Sequence, residues 1–257
     1  MDYLLPELNI LQIKTIVSKE KNVCEFVIEP LSPGYGVTIG NSLRRVLLAS
    51  LEGSAVKSVK IDGVDHEFST LKGMKEDIID LILNLKVARF KLNTEDSAKI
   101  SLSVKGPAIV TTSNFKETSE VEVVSKDHYL CTLEKGGKLD LEVVVDKGRG
   151  YLPVERRPEE KLAIGTILVD SIYTPVKKVK FEVENSRVGS ITNYNKLTME
   201  VTTDGSITPQ KAMAYASSIL VEHFQVIADS NTIEIEKKAI KVPKNVKKRS
   251  VKNARKK

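Results

Sequence analysis

The chain is short of cysteine, short of histidine and free of long apolar runs, and each shortage removes a class of protein. Its two cysteines, Cys24 and Cys131, lie far apart in strand-like stretches and read as buried, reduced thiols rather than a disulfide framework. The three histidines, His66, His128 and His223, include no Cys or His at metal-ligand spacing, and His223 reads as a core-edge residue of a helix. No apolar run approaches the roughly 20 residues that cross a bilayer, so no membrane partner is expected. The first residues, Met1 to Leu8, have no basic stretch ahead of their apolar side chains, as a secretory leader would need. The expectation is a cytoplasmic protein.

Acidic residues are missing from one place only. From Lys237 to Lys257 there are 11 Lys and Arg and no Asp or Glu, which leaves 29 basic against 34 acidic residues in positions 1–236. The formal charge of +6 is therefore a property of the tail, and the body is mildly acidic. A body of that sign gives no electrostatic reason to bind nucleic acid. The tail has almost no apolar periodicity and reads as disordered.

Catalytic groupings are missing as well. Gly34-Tyr35-Gly36 and Gly148-Arg149-Gly150 match neither a Walker nor a dinucleotide fingerprint and read as turns. Nucleotidyl transfer needs clustered carboxylates holding two magnesium ions. Asp62-Gly63-Val64-Asp65 is the nearest candidate, but it looks like a turn and nothing nearby adds ligands. No Ser-His-Asp or Cys-His grouping can be nominated.

What is present is strand and helix patterning. Residues 8–17 and 23–29 read as strands joined by a turn at Lys19–Asn22. Thr38 is the candidate cap of a helix over 39–51, with Gly53 just beyond its end. On that helix Ile39, Leu43, Val46, Leu47 and Ser50 share one face, whereas Leu48 points away, near Asn41, Arg44 and Arg45. A leucine between arginines on the nominally wet face predicts one side for the core and another for a partner. Met74, Ile78, Leu81, Ile82 and Leu85 form an amphipathic stripe over 74–86. Short strands follow near 98–104, 120–124, 129–133 and 139–146, then a charged loop over 148–161. Further strands are predicted near 164–170, 176–183 and 196–203. Thr208-Pro209 opens the best-marked helix, with no breaker until Asp229. Ala212, Ala216, Ile219, Leu220, Phe224 and Ile227 form its stripe, and its small residues would admit a second helix closely, from this chain or from another copy. Strands followed by isolated helices argue for α+β rather than a doubly wound sheet.

Five stretches together resemble the amino-terminal region of the bacterial and plastid RNA polymerase alpha-subunit family. They are Glu29–Ala55; Val64-Asp65-His66-Glu67-Phe68-Ser69-Thr70 with Glu76-Asp77-Ile78 and Leu83-Asn84-Leu85-Lys86; Gly148-Arg149-Gly150-Tyr151-Leu152-Pro153; Ile167–Val176; and Val183–Gly189 continuing to Ile207. Their order follows the family across about residues 1–230. The resemblance implies a dimerisation domain from 1–52 plus 178–232, interrupted by an inserted α+β domain over 53–177, with a basic tail over 233–257. It implies a non-catalytic scaffold that homodimerises and then docks the beta and beta prime subunits of the polymerase, a nucleotidyltransferase complex.

The same resemblance assigns Asn41, Arg44, Arg45, Leu48, Lys86, Asp170, Tyr173 and Arg187 to the large-subunit interface. To the dimer interface it assigns Ile39, Leu43, Val46, Leu47, Ala216, Ile219, Leu220, His223, Phe224 and Ile227. No cofactor is expected in this chain, the polymerase magnesium being held by another subunit. Most bacterial members continue through a linker into a helical carboxy-terminal domain that binds promoter DNA and activators. That module is not expected here, unless the sequence is a piece of a longer protein. The cysteine cluster of the archaeal counterpart has no match. Two other readings stay open: a stand-alone nucleic-acid binder acting through residues 237–257, and a free-standing enzyme, for which no site can be named.

Overall fold

The computed structural model describes residues 11–17, 22–158, 163–189 and 191–230. The tail over 233–257 and the turn residues Lys19–Lys21 lie outside them. Residues to Val221 form one compact unit and those from Glu222 a second. Within the first unit two four-stranded sheets carry the two larger hydrophobic cores, and a small cluster of Ile28, Leu31 and Leu197 adjoins the first, in keeping with the α+β class.

The first sheet has the order β1-β2-β14-β13, from β1 (Gln12–Val17), β2 (Val23–Leu31), β13 (Val176–Val188) and β14 (Ile191–Thr203). All its pairings are antiparallel. Cys24 and Phe26 of β2, Val179 of β13, and Met199 and Val201 of β14 bury one face of this sheet. Against them pack helix α1 (Tyr35–Ala49), through Leu43 and Leu47, and the first half of α3 (Pro209–Ser230), through Ala212 and Ala216. Alternation along the strands makes such a face, because successive side chains point to opposite sides.

The chain then leaves this sheet after α1 and returns to it only at β13. The second sheet, β11-β3-β9-β5, is built in between from β3 (Glu52–Ile61), β5 (Ala98–Lys105), β9 (Lys138–Arg149) and β11 (Thr166–Leu168). Helix α2 (Ile78–Val87) covers it, burying Ile78, Leu81 and Leu85 at helical spacing. Three small antiparallel pairs complete this region: β4 (Phe90–Leu92) with β7 (Val121–Val123), β6 (Ala108–Thr111) with β8 (Tyr129–Leu133), and β10 (Tyr151–Leu152) with β12 (Ser171–Ile172). Both cysteines are free and buried, Cys131 in this second core.

The structure moves several sequence-based boundaries. Helix α1 starts at Tyr35, four residues before the predicted start, because its first turn is capped from a distant strand rather than by Thr38. Helix α2 starts at Ile78 rather than Met74, and Met74 instead bridges to Leu133. The predicted loop after 148 is partly sheet: β9 extends to Arg149 by pairing with Glu52. Strands β13 and β14 run on to Val188 and from Ile191 as one long hairpin. Gly53 does not close the helix but lies within β3, where a Cβ would stand 1.9 Å from the Tyr173 carbonyl oxygen. That close approach requires glycine.

Candidate partner interface

Two features hold α1. The Asn195 side-chain oxygen on β14 accepts from the amides of Gly34 (2.8 Å) and Gly36 (3.3 Å), meeting donors that an open helix start leaves unsatisfied. Gly40 then lets the helix lie almost directly on the sheet: a Cβ there would be 2.8 Å from Phe181 Cδ2 and 2.9 Å from Leu197 Cδ1. Thr38 hydrogen-bonds back to the Gly34 carbonyl at 3.3 Å, inside the first turn.

With one side fixed, the other side of α1 is turned outward. Asn41, Arg44 and Arg45 are exposed, as are Tyr35 and Val37. Neither Arg44 nor Arg45 forms an ion pair with another described residue. Leu48 does not share their exposure. It is half-buried against the first core, and Thr174 Oγ1 donates to its carbonyl at 3.4 Å, so the segment before β13 covers it.

That segment links the end of α1 to the end of α2. Thr174 touches Leu48, the Tyr173 amide donates to the Gly150 carbonyl at 2.9 Å, and Asp170 takes the Lys86 ammonium at 2.9 Å. Lys86 also lies 5.3 Å from the centre of the Tyr151 ring. Asp170 accepts further bonds from the Tyr151 hydroxyl and the Val154 amide, both at 3.0 Å. These contacts perturb both charged groups. Partial burial opposes the charge on Lys86, but the Asp170 hydrogen bond and charge outweigh it and raise its pKa. The Asp170 pKa is lowered, first by Lys86 and next by the Val154 amide, against a smaller opposing effect of burial.

Tyr173 is only 3% exposed and cannot meet a partner in this arrangement. Its hydroxyl donates to Asp146 at 2.7 Å and accepts from Arg157 at 3.2 Å. Ser171 joins the same buried network through Arg157 and donates to the Val56 carbonyl at 2.6 Å. Arg187, by contrast, is exposed near the tip of the β13–β14 hairpin, where its Nε donates to the Gly189 carbonyl at 2.8 Å.

The residues assigned to a dimer contact divide by depth. Leu43, Leu47 and Ala216 are interior, because the first sheet and the two helices already enclose them. They cannot touch a second copy without opening that core. Ile39, Val46, Ile219 and Leu220 are half-buried at its margin. His223, Phe224 and Ile227 are exposed on the last turns of α3, Phe224 by 60% and Ile227 by 56%, and Tyr215, Val221 and Val226 add to the apolar surface along that helix.

Several residues that hold this arrangement carried no signal in the sequence. Asn195 sits in a strand-like run, and the bond it makes to Gly34 spans 161 positions. Arg89 and Asp204, 12% and 5% exposed, pair at 3.5 Å, and Arg89 donates to the Ile172 carbonyl at 2.9 Å. Arg157 lies in the charged stretch over 148–161, where the pattern predicts only a loop. Among the described residues no group of three or more His, Cys, Asp or Glu could hold a metal ion, and no helix is long and apolar enough to cross a membrane.

Comparison with known proteins agrees with this architecture. Residues 59–174, nearly all of the second core, match the family described as the RNA polymerase Rpb3/RpoA insert domain. A DNA-directed RNA polymerase subunit alpha from Clostridium acetobutylicum is 48% identical over 225 residues, covering 85% of this chain and 71% of that protein. The subunit alpha of Clostridium botulinum (strain Eklund 17B) is 47% identical over 221 residues, covering 85% and 70%. Identity at this level, across both cores, shows that the chain belongs to the family of DNA-directed RNA polymerase alpha subunits.

Proposed function

We propose that this chain is the assembly scaffold of its RNA polymerase: it homodimerises and then receives the beta and beta prime subunits, without contributing a catalytic group. Family membership makes it a subunit of a nucleotidyltransferase complex. The scaffold reading is carried by the two-sided helix α1. One side is fixed in the first core, while Asn41, Arg44 and Arg45 stand exposed on the other. Arginine presents several donors in a fixed plane to carboxylates or carbonyls, and such residues dominate many interfaces. The exposed apolar side chains along α3 suit a second copy of the same helix. On this reading 1–52 plus 178–232 form the dimerisation domain and 53–177 the inserted one.

Native mass spectrometry of the chain co-expressed with its cognate beta subunit tests the proposal. Two copies with one beta are the expected species. A dimer that never takes up beta would remove the docking role of α1, and a monomer would remove the scaffold reading altogether. The run from Lys237 to Lys257, with 11 Lys and Arg and no Asp or Glu, favours an added, sequence-independent attraction to nucleic-acid phosphates. Its binding to duplex DNA should fall steeply with salt, and a flat salt response would exclude it.

A further inference from the structure

The chain passes between its two larger cores at Ser50–Leu51, after α1, and again at Tyr173–Pro175, before β13. These crossings run side by side: Thr174 bonds to the Leu48 carbonyl, and the Tyr173 carbonyl closes on Gly53. Two adjacent lengths of backbone keep the cores from parting. They do not by themselves stop one core from turning, because each residue keeps two soft dihedrals. The buried apolar residues of the two cores form separate clusters, so the angle has to be set by other groups.

Arg89 and Asp204 are placed to set it. Arg89 stands just past α2, in the second core, where its amide donates to Ser125 Oγ at 2.9 Å and its carbonyl accepts from the Val124 amide at 3.0 Å. Asp204 stands just past β14, on the first sheet, and its amide donates to the Pro175 carbonyl at 2.9 Å. The two side chains, 12% and 5% exposed, meet at 3.5 Å. The guanidinium also donates to the Ile172 carbonyl at 2.9 Å. Arg89 thus grips the residue before the second crossing, Asp204 grips the last residue of it, and the ion pair joins the two grips. Packing adds to the hold, since a Cβ at Gly205 would be 3.3 Å from Val124 Cγ1.

The electrostatics suit such a clip. Ser206 satisfies Asp204 Oδ1 through its amide (2.9 Å) and its hydroxyl (2.5 Å), which leaves Oδ2 to Arg89. Arg89 Nε makes no hydrogen bond among the described residues, so charge rather than an aligned bond draws it to Asp204. Charge attraction falls off gradually with distance, whereas a hydrogen bond weakens steeply with angle. Arginine keeps its proton, and a charge buried without its partner is costly, so opening the clip is opposed from both sides.

We infer that the Arg89–Asp204 pair is a conformational clip: it fixes the angle between the two cores, and without it the second core turns on residues 173–175. The inference goes beyond the scaffold reading and holds whether or not that reading does. Asp204 lies just ahead of α3, so the clip also sets the second core relative to the start of that helix.

The chain carries its own reporters, because Cys24 is buried in the first core and Cys131 in the second. The full chain, Arg89→Met, Asp204→Asn and the double variant are equilibrated across a urea series and pulsed with N-ethylmaleimide. Peptide mass spectrometry then gives a midpoint for each cysteine. In the unaltered chain the two midpoints should coincide. In every variant they should part, by about 0.5 M or more. The double variant should regain part of the lost stability, since neither charge is left buried alone, yet its midpoints should stay apart. Hydrogen exchange of the folded proteins supplies a readout that general destabilisation does not mimic. Peptides covering 173–176 and 204–206 should exchange about tenfold faster, with the β3–β9 and β2–β14 pairs unchanged. If a single variant fails to fold, Arg89→Lys, which keeps the charge but offers fewer donors, and the double variant carry the comparison.

Separate midpoints in the unaltered chain would overturn the inference, because the cores would not be held as one. Coincident midpoints in the folded variants would overturn it as well, by assigning the angle to other contacts. Faster exchange spread over both sheets would make the pair a general support of the fold and not a clip.

Discussion

Arg45→Ala separates folding from assembly, and its consequences can be worked out from the position of the side chain. Arg45 is exposed on α1 and forms no ion pair with a described residue. Its truncation should therefore change the stability of the isolated chain by no more than about 0.5 kcal/mol. Removing an interface arginine whose donors are satisfied only by a partner costs about 2–4 kcal/mol of binding. That corresponds to roughly a 30- to 1000-fold rise in the dissociation constant for the docked subunit. Leu47→Ala, two residues on and wholly buried, is the opposite control. It should lower stability by about 2–5 kcal/mol through lost packing and a cavity. Urea unfolding of the chain and titration with purified beta measure the two quantities separately. Arg45→Ala binding beta with wild-type affinity would refute the outward role given to this side of α1. A loss of stability comparable to that of Leu47→Ala would show that Arg45 serves its own fold.

Three further outcomes are expected. Gly40→Val would force a Cβ into the space held by Phe181 and Leu197, and should destabilise the first core by about 1–3 kcal/mol in urea titration. The pKa of Asp170 is lowered by folding, so the stability it contributes is present above the ordinary carboxylate value of about 3.9 and is lost as pH falls through the lower folded value. The deficit of Asp170→Asn in urea should accordingly be largest near neutrality and vanish in strong acid; a deficit that grows as pH falls would contradict the pairing. Burial, followed by the charge of Glu76, pushes the Cys131 thiol up to about 12, so little thiolate is present near pH 8. Iodoacetamide should label Cys131 only in step with unfolding, as read by mass spectrometry across a urea series, and prompt labelling of native protein would contradict its burial.

The amino-acid sequence determined the local elements whose cause is local. Helix α3 begins where Thr208-Pro209 predicts, since proline suits the first helical position and the Thr208 hydroxyl lies 3.4 Å from the Lys211 amide. The stripe of Ile78, Leu81 and Leu85 faces the core because helical spacing leaves it no other side. The motifs around Arg45 and Lys86 mark this chain's relationship by residue order alone, independently of any contact they make. Tertiary structure decided what depends on groups far apart in the chain. Helix α1 starts at Tyr35 because Asn195 meets its first amides, and no pattern near Pro33-Gly34 could announce that. Tyr173 belongs to the interior rather than to an interface because Asp146 and Arg157 satisfy its hydroxyl there. Asp170 and Lys86 stand 84 positions apart and meet only because the β11–β12 connection passes the end of α2. Periodicity records which face of an element is apolar; the partner that each polar group finds is fixed by how the two sheets bring distant segments together.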